Sequence, residues 1–221
     1  MPDGIHACTR KSNSKHYKDI TSIVALGANI GATANTYPYF MHGFTQGGAI
    51  DSGIFFKDGK WYVFTSGKID EPAGWKSQEI TNVSKGGTVT ITSHVSASSN
   101  SFETIVTSGG KTVKFPAKLS SERASSLRTD GSEVCREMNI ASHLSNLNNE
   151  DAYFSDTVFK ESTIVNVGNF PERMTTGNTS MVAKYYDNPA VSHPNVKRSE
   201  PPVTSTVNGC VVDSCWCRCN M

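Results

Sequence analysis

The sequence predicts an all-β molecule, an antiparallel two-sheet sandwich with an extended tail. Three observations carry that expectation. Asp58-Gly59 sits between the apolar runs GAIDSGIFF (48–56) and KWYVF (60–64), and Asp-Gly between such runs favours a two-residue hairpin turn with positive φ at both positions. In Thr88–Val95, Val89, Ile91, Ser93 and Val95 alternate with Thr88, Thr90, Thr92 and His94, the period-2 pattern of a strand with one buried face. No stretch of 12 or more residues follows a 3.6-residue period, and no repeat is evident.

Taken in order, residues 1–19 are polar and basic (Arg10, Lys11, Lys15, Lys18) and read as an arm. Ile20–Leu26 reads as a strand and 27–36 as a small-residue loop, and the Asp-Gly hairpin follows. Residues 68–76 are polar and irregular, which places Trp75 in a loop. Strands are expected at 87–96, 102–107 and 112–115, the last two joined by Ser108-Gly109-Gly110-Lys111. Residues 117–132 are a loop or a short helix, Val134–Ala141 alternates again, and 156–167 supplies one or two strands. From 170 onward the chain is rich in Thr, Asn, Pro and Ser. The division is therefore an arm (1–19), a sandwich domain (20–169) and a C-terminal segment (170–221).

Composition excludes several classes. With 221 residues the chain can bury one sizeable core. A net charge of +1 and a pI of about 7.6 give no electrostatic case for nucleic acid or an anionic membrane. No apolar run approaches the roughly 18 residues of a membrane span. Six cysteines occur at 8, 135, 210, 215, 217 and 219, the last four spaced C-x4-C-x-C-x-C. That spacing suits zinc knuckles poorly and favours disulfides, and so an oxidising, extracellular setting, although no leader is visible in Met1–Cys8. His94 and His143 make no recognisable metal or nucleophile motif. No metal and no cofactor are expected.

The order of elements GAIDSGIFF, KWYVF, ITNVSKGGTVTITSHV, FETIVTSGGKTVKF, CREMNIA and DAYFSDTVF resembles the eqolisins, the fungal glutamic peptidases, over residues 39–168. The resemblance implies a concanavalin-like jelly-roll sandwich related to lectins and glucanases. It also implies a catalytic Glu at Glu137 and a catalytic Gln where this chain has Asp51. The aromatic pair of the second strand falls on Trp61 and Tyr62.

The exchange at Asp51 matters, because a Gln amide donates to a developing oxyanion and an ionised carboxylate only accepts. Gln46 lies five residues before Asp51, an odd separation that puts it on the opposite face. Three expectations follow for the two acids. They form a shared catalytic pair, they bind a ligand, or they are solvated or paired with Lys or Arg. Arg136 points away from Glu137 by strand alternation.

Two function classes remain. One is a non-catalytic binding protein that holds a glycan or an extended peptide on its concave sheet through Trp61, Tyr62 and Trp75. The other is a variant acid endopeptidase using Glu137 as general base and protonated Asp51 as oxyanion donor. A further reading has tail disulfides joining copies of the chain.

Overall fold

A computed structural model of the chain describes residues 4–32, 36–45, 49–142, 153–154 and 157–182, with four short strand segments between 196 and 219. The first half holds β1 (Gly4–Ser12), β2 (Tyr17–Ala25), β3 (Ile30–Gly31), β4 (Thr36–Phe44), β5 (Ile50–Lys57), β6 (Lys60–Gly67) and β7 (Trp75–Ile80). Next come β8 (Thr88–Val95), β9 (Ser101–Ser108), β10 (Lys111–Lys118) and the helix α1 (Ser121–Thr129). Then follow β11 (Val134–Ser142), β12 (Tyr153–Phe154), β13 (Val158–Asn166), β14 (Pro171–Arg173) and β15 (Thr179–Val182).

Two antiparallel sheets face one another. One has seven strands in the order β15-β1-β11-β4-β5-β6-β7, the other six in the order β10-β9-β8-β2-β13-β14. Both hairpin expectations hold in backbone detail. Asp58 and Gly59 have φ of 50° and 76°, and Gly109 and Gly110 have 55° and 73°, the paired positive values of a type I′ turn. On β8 and β9 every second residue is buried, as the alternation requires.

The inner faces meet in an apolar core that includes Phe40, Ile54, Phe56, Trp61 and Met138 from the seven-stranded sheet and Val24, Ile91, Val106 and Phe159 from the six-stranded one. Burying each large apolar side chain contributes about 1.5–3 kcal/mol. Through that core runs a polar chain. Arg136 Nη1 donates to Ser162 Oγ at 2.8 Å, and Ser162 and Ser22 hydroxyls meet at 2.7 Å. His42 sits between Ser22 Oγ (2.8 Å from Nε2) and Ser93 Oγ (2.9 Å from Nδ1), and Ser52 donates to Ser93 at 2.7 Å. With Arg136 able only to donate, the orderly direction runs Ser162 to Ser22 to His42 Nε2, leaving Nδ1–H to donate to Ser93. That is a neutral imidazole.

The structure departs from the sequence reading in four places. The expected N-terminal arm contains a strand, β1, paired with β11 and β15. Residues 37–44, left unassigned, form β4 in the centre of the seven-stranded sheet. Trp75 opens strand β7 instead of lying in a loop, following a 3-10 turn at Pro72–Gly74. The 170–221 segment adds β14 and β15 to the two sheets. Beyond it, the described pieces Val196–Arg198, Ser205–Val207, Cys210–Val212 and Cys217–Cys219 pair as two ribbons. Among the described residues no helix is long and apolar enough to cross a membrane.

Candidate functional site

On β5 the inward positions are Ile50, Ser52, Ile54 and Phe56, so Asp51, Gly53 and Phe55 face away from the six-stranded sheet. On β11, Met138 and Arg136 point inward and Cys135, Glu137 and Asn139 outward. Asp51 and Glu137 thus share the outer face of the seven-stranded sheet, on strands separated by β4. Register places them in adjacent rows. One row runs Cys135, Gly43, Asp51, Ser66, Trp75, and the next Glu137, Met41, Gly53, Phe64, Ser77. Ideal strand spacings put the α-carbons of the two acids about 12 Å apart, and the charges of both act on Cys135.

The missing side chains of Gly43 and Gly53 make room there for neighbouring groups. A Cβ on Gly43 would stand 2.7 Å from the Cys135 sulfur and 3.2 Å from Asp51 Oδ1, so both side chains occupy the space a larger residue would need. A Cβ on Gly53 would meet the Phe40 carbonyl at 2.2 Å. Cys135 is a buried free thiol. Its pKa is pushed well up by burial first, and then by the charges of Glu137 and Asp51. The thiol is therefore neutral, and both carboxylates act on it. Asp51, Glu137 and Asn139 are 7%, 6% and 6% exposed, and Asn139 Nδ2 donates to Glu137 Oε1 at 2.8 Å.

Beside this polar floor lies an aromatic layer. The third row runs Asn139, Tyr39, Phe55, Tyr62, Glu79. Phe55 and Tyr62 stack at 4.9 Å and 11°, Phe64 and Trp75 at 5.2 Å and 16°, and Tyr39 meets Phe64 edge-on at 5.1 Å. Trp75 is 38% exposed and Tyr62 half-buried, so both offer surface to a ligand. Trp61 does not. It packs inside the core against Phe40 and Phe56, one residue out of phase with Tyr62. Gln46 and His143 lie outside the described residues, as do the side chains of Cys8, Cys210, Cys215, Cys217 and Cys219. Among the described residues no group of His, Cys, Asp and Glu is arranged to hold a metal ion.

Solved structures similar to this chain include a scytalido-glutamic peptidase with a peptide-based transition state analog (12% identity, TM-score 0.52) and scytalido-glutamic peptidase with a transition state analog inhibitor (12%, 0.51). A third is SCP-B, a member of the eqolisin family of peptidases, with the tripeptide Ala-Ile-His (10%, 0.51). Each match covers 82% of this chain and 88% of the other. The chain has an eqolisin-like β-sandwich fold. No family model and no curated protein matches the sequence, so the likeness to eqolisins is one of fold.

Sequence reading overlooked four contributors to this face of the sheet: Gly43, Cys135, Asn139 and the aromatic run of β4. Alternation in CREMNIA could have found Cys135 and Asn139, since each is two residues from Glu137.

Proposed function

We propose that the chain is a non-catalytic binding protein that holds an extended peptide or a glycan on the outer face of its seven-stranded sheet. The observation that supports this most is the aromatic layer abutting the carboxylate floor, with Tyr62 and Trp75 at its accessible edge. Stacked rings give a rigid platform for a peptide side chain or a sugar face. Asp51 stands where the resemblance implies an amide donor, and loss of one oxyanion donor typically costs about 2.7–4 kcal/mol of transition-state stabilisation. A combined Tyr62→Ala and Trp75→Ala variant is expected to lose at least about tenfold in affinity on peptide and glycan arrays. Unchanged array binding would remove this face from consideration.

The second reading, a variant acid endopeptidase, is favoured by the fold shared with glutamic peptidases. It needs Asp51 protonated as donor and Glu137 ionised as base, hence acidic pH. His42 works against that regime. Burial, then the charge of Arg136, lowers its pKa from 6.5 to about 3, so folding stability falls as pH drops across that interval. Hydrolysis of denatured casein at about pH 2–5, compared between the native chain and Glu137→Gln, tests this reading. The expected result is no cleavage above that of the variant.

An extracellular setting belongs to the same proposal and rests on the cysteine-rich tail. Mass mapping of non-reduced peptides is expected to find bridges among Cys210, Cys215, Cys217 and Cys219, and non-reducing electrophoresis shows whether any of them joins two copies.

A further inference from the structure

The outermost strand of the seven-stranded sheet, β7, has a strand neighbour on one side only. Which of its backbone groups stay open follows from the hairpin at Asp58-Gly59. A two-residue turn closes on a hydrogen-bonded pair, here Lys57 and Lys60, and antiparallel pairs then alternate between bonded and non-bonded. Lys60, Tyr62, Phe64 and Ser66 therefore direct their backbone groups to β5, and Trp61, Val63 and Thr65 direct theirs to β7. The β7 partners of those three are Ile80, Gln78 and Lys76. That leaves Trp75, Ser77 and Glu79 with N–H and C=O groups aimed out of the sheet. The Trp75 N–H returns to the Pro72 carbonyl, and among the described residues no backbone bond outside the ladder involves Ser77 or Glu79. All three residues are exposed.

The adjacent end of β10, an edge of the other sheet, is closed by contrast. The same rule, set at Gly109-Gly110, turns the backbone groups of Pro116 and Lys118 outward. Pro116 has no N–H, and its carbonyl accepts from Lys76 Nζ at 2.6 Å. The Lys118 N–H donates to Glu71 Oε1 at 3.1 Å, and its carbonyl accepts from the Asp70 N–H at 2.8 Å. Proline and inward-pointing charge are usual devices that keep an edge from pairing. Neither guards Ser77 or Glu79. No proline interrupts β7, and Lys76 is drawn across to Pro116 and to Glu71, 3.5 Å away.

The open groups recur at every second residue, about 6.8 Å apart. That is the repeat of an extended peptide backbone, and a sugar carries no such line of alternating donors and acceptors. On the outer face, Trp75 lies parallel to Phe64 at 5.2 Å and 16° and is 38% exposed, so it ends the aromatic layer at this edge. We propose that an extended peptide binds as an eighth strand along β7, antiparallel like every other pair in this sheet, with an aromatic side chain beside Trp75. The proposal rests on the binding reading above and selects peptide over glycan. A second copy of the chain fits less well. Two β7 strands paired about Ser77 set each Trp75 against a Glu79 that already holds Lys60 at 2.8 Å.

The experiment is isothermal titration of the full chain with an acetylated, amidated peptide, lysine-threonine-phenylalanine-threonine-phenylalanine-threonine-lysine, and two N-methylated forms of it. In antiparallel addition the phenylalanines share the outer face with Trp75 and Ser77 and aim their N–H groups at β7, while the threonine N–H groups point away. N-methylation of both phenylalanines is expected to weaken binding at least about tenfold, and N-methylation of the threonines by less than about threefold. Ser77→Pro removes an edge N–H that the ladder does not use. It is expected to weaken binding by about tenfold while leaving the thermal melt near native, and the methylated peptides decide the matter if it unfolds. Equal losses from the two methylated forms, or a larger loss from the threonine form, overturn the proposal. Binding that ignores methylation but is lost with Tyr62→Ala and Trp75→Ala places the peptide flat on the face, which overturns the edge and keeps the binding reading. A dimer in sedimentation equilibrium that Ser77→Pro dissolves, with no peptide bound, gives the edge to a second copy and overturns the proposal. Failure of all three peptides overturns the edge alone, since the binding reading falls only on unchanged array binding by the double variant.

Discussion

At Gly43 the absence of a side chain lets a thiol and a carboxylate approach across one strand. Gly43→Ala would put a methyl group 2.7 Å from the Cys135 sulfur, and such overpacking costs about 1–3 kcal/mol. The loss should appear in urea denaturation, and Cys135→Ala combined with Gly43→Ala should recover part of it, since the nearest offending atom is gone. Equal costs in the single and double variants would contradict the packing described. Cys135 itself, buried and held in its neutral form, is expected to resist iodoacetamide in the native chain at about pH 8 and to react in denaturant, because the thiolate is the nucleophile. Rapid native labelling assigned to Cys135 would show that the face opens. At this scale the structure puts the two acids and Tyr62, all singled out from the sequence, on one face of the seven-stranded sheet. Trp61 was misassigned as a ligand contact because an aromatic pair spans both faces of a strand, and only one member of such a pair can point outward.

Among the elements, the β5–β6 hairpin and β4 make opposite cases. The turn at Asp58-Gly59 is local chemistry, written in two residues. Nothing lies within 4 Å of a Cβ on Gly59, but its φ of 76° penalises one. Gly59→Ala is therefore expected to lower stability by about 1–2 kcal/mol without changing ligand affinity, a drop of roughly 2–4 °C in Tm per kcal/mol for a chain of this size. Strand β4 was invisible. In YPYFMHGF both faces are buried, with Tyr37, Tyr39 and Met41 outward and Phe40, His42 and Phe44 inward, so alternation between apolar and polar residues is lost. Pro38 and Gly43 weaken the strand signal further. Yet β4 positions the site, for it alone separates the strands of Asp51 and Glu137.

Across the whole molecule, the chain from Arg136 through Ser162, Ser22 and His42 to Ser93 and Ser52 links β11, β13, β2, β4, β8 and β5. It joins both sheets directly beneath the candidate site. A protonated imidazole would have to donate from both nitrogens, and Ser22 would then have to turn its own donor against the direction set by Arg136. Burial and Arg136 accordingly lower the His42 pKa to about 3. Sign follows from linkage: above pH 6.5 His42 is neutral folded and unfolded, and stability is unaffected. Between about 6.5 and 3 the unfolded chain binds a proton that the folded chain refuses, so stability declines by up to about 1.4 kcal/mol per pH unit. Thermal melts from pH 7 to pH 4 are expected to show this decline, and His42→Gln, which cannot titrate, is expected to flatten it. Identical pH profiles for the two proteins would remove His42 as the cause.

Turn chemistry and period-2 alternation sufficed for the all-β sandwich and the I′ hairpins, because those signals act between residues close along the chain. Identity of the two acids, and the exchange of an amide for a carboxylate at Asp51, could likewise be read without coordinates. Only tertiary structure decided that a strand with no alternation lies between them and that a thiol and two glycines form the floor. Those facts depend on which strands become neighbours and how side chains meet across them, and such pairings join residues nearly a hundred positions apart.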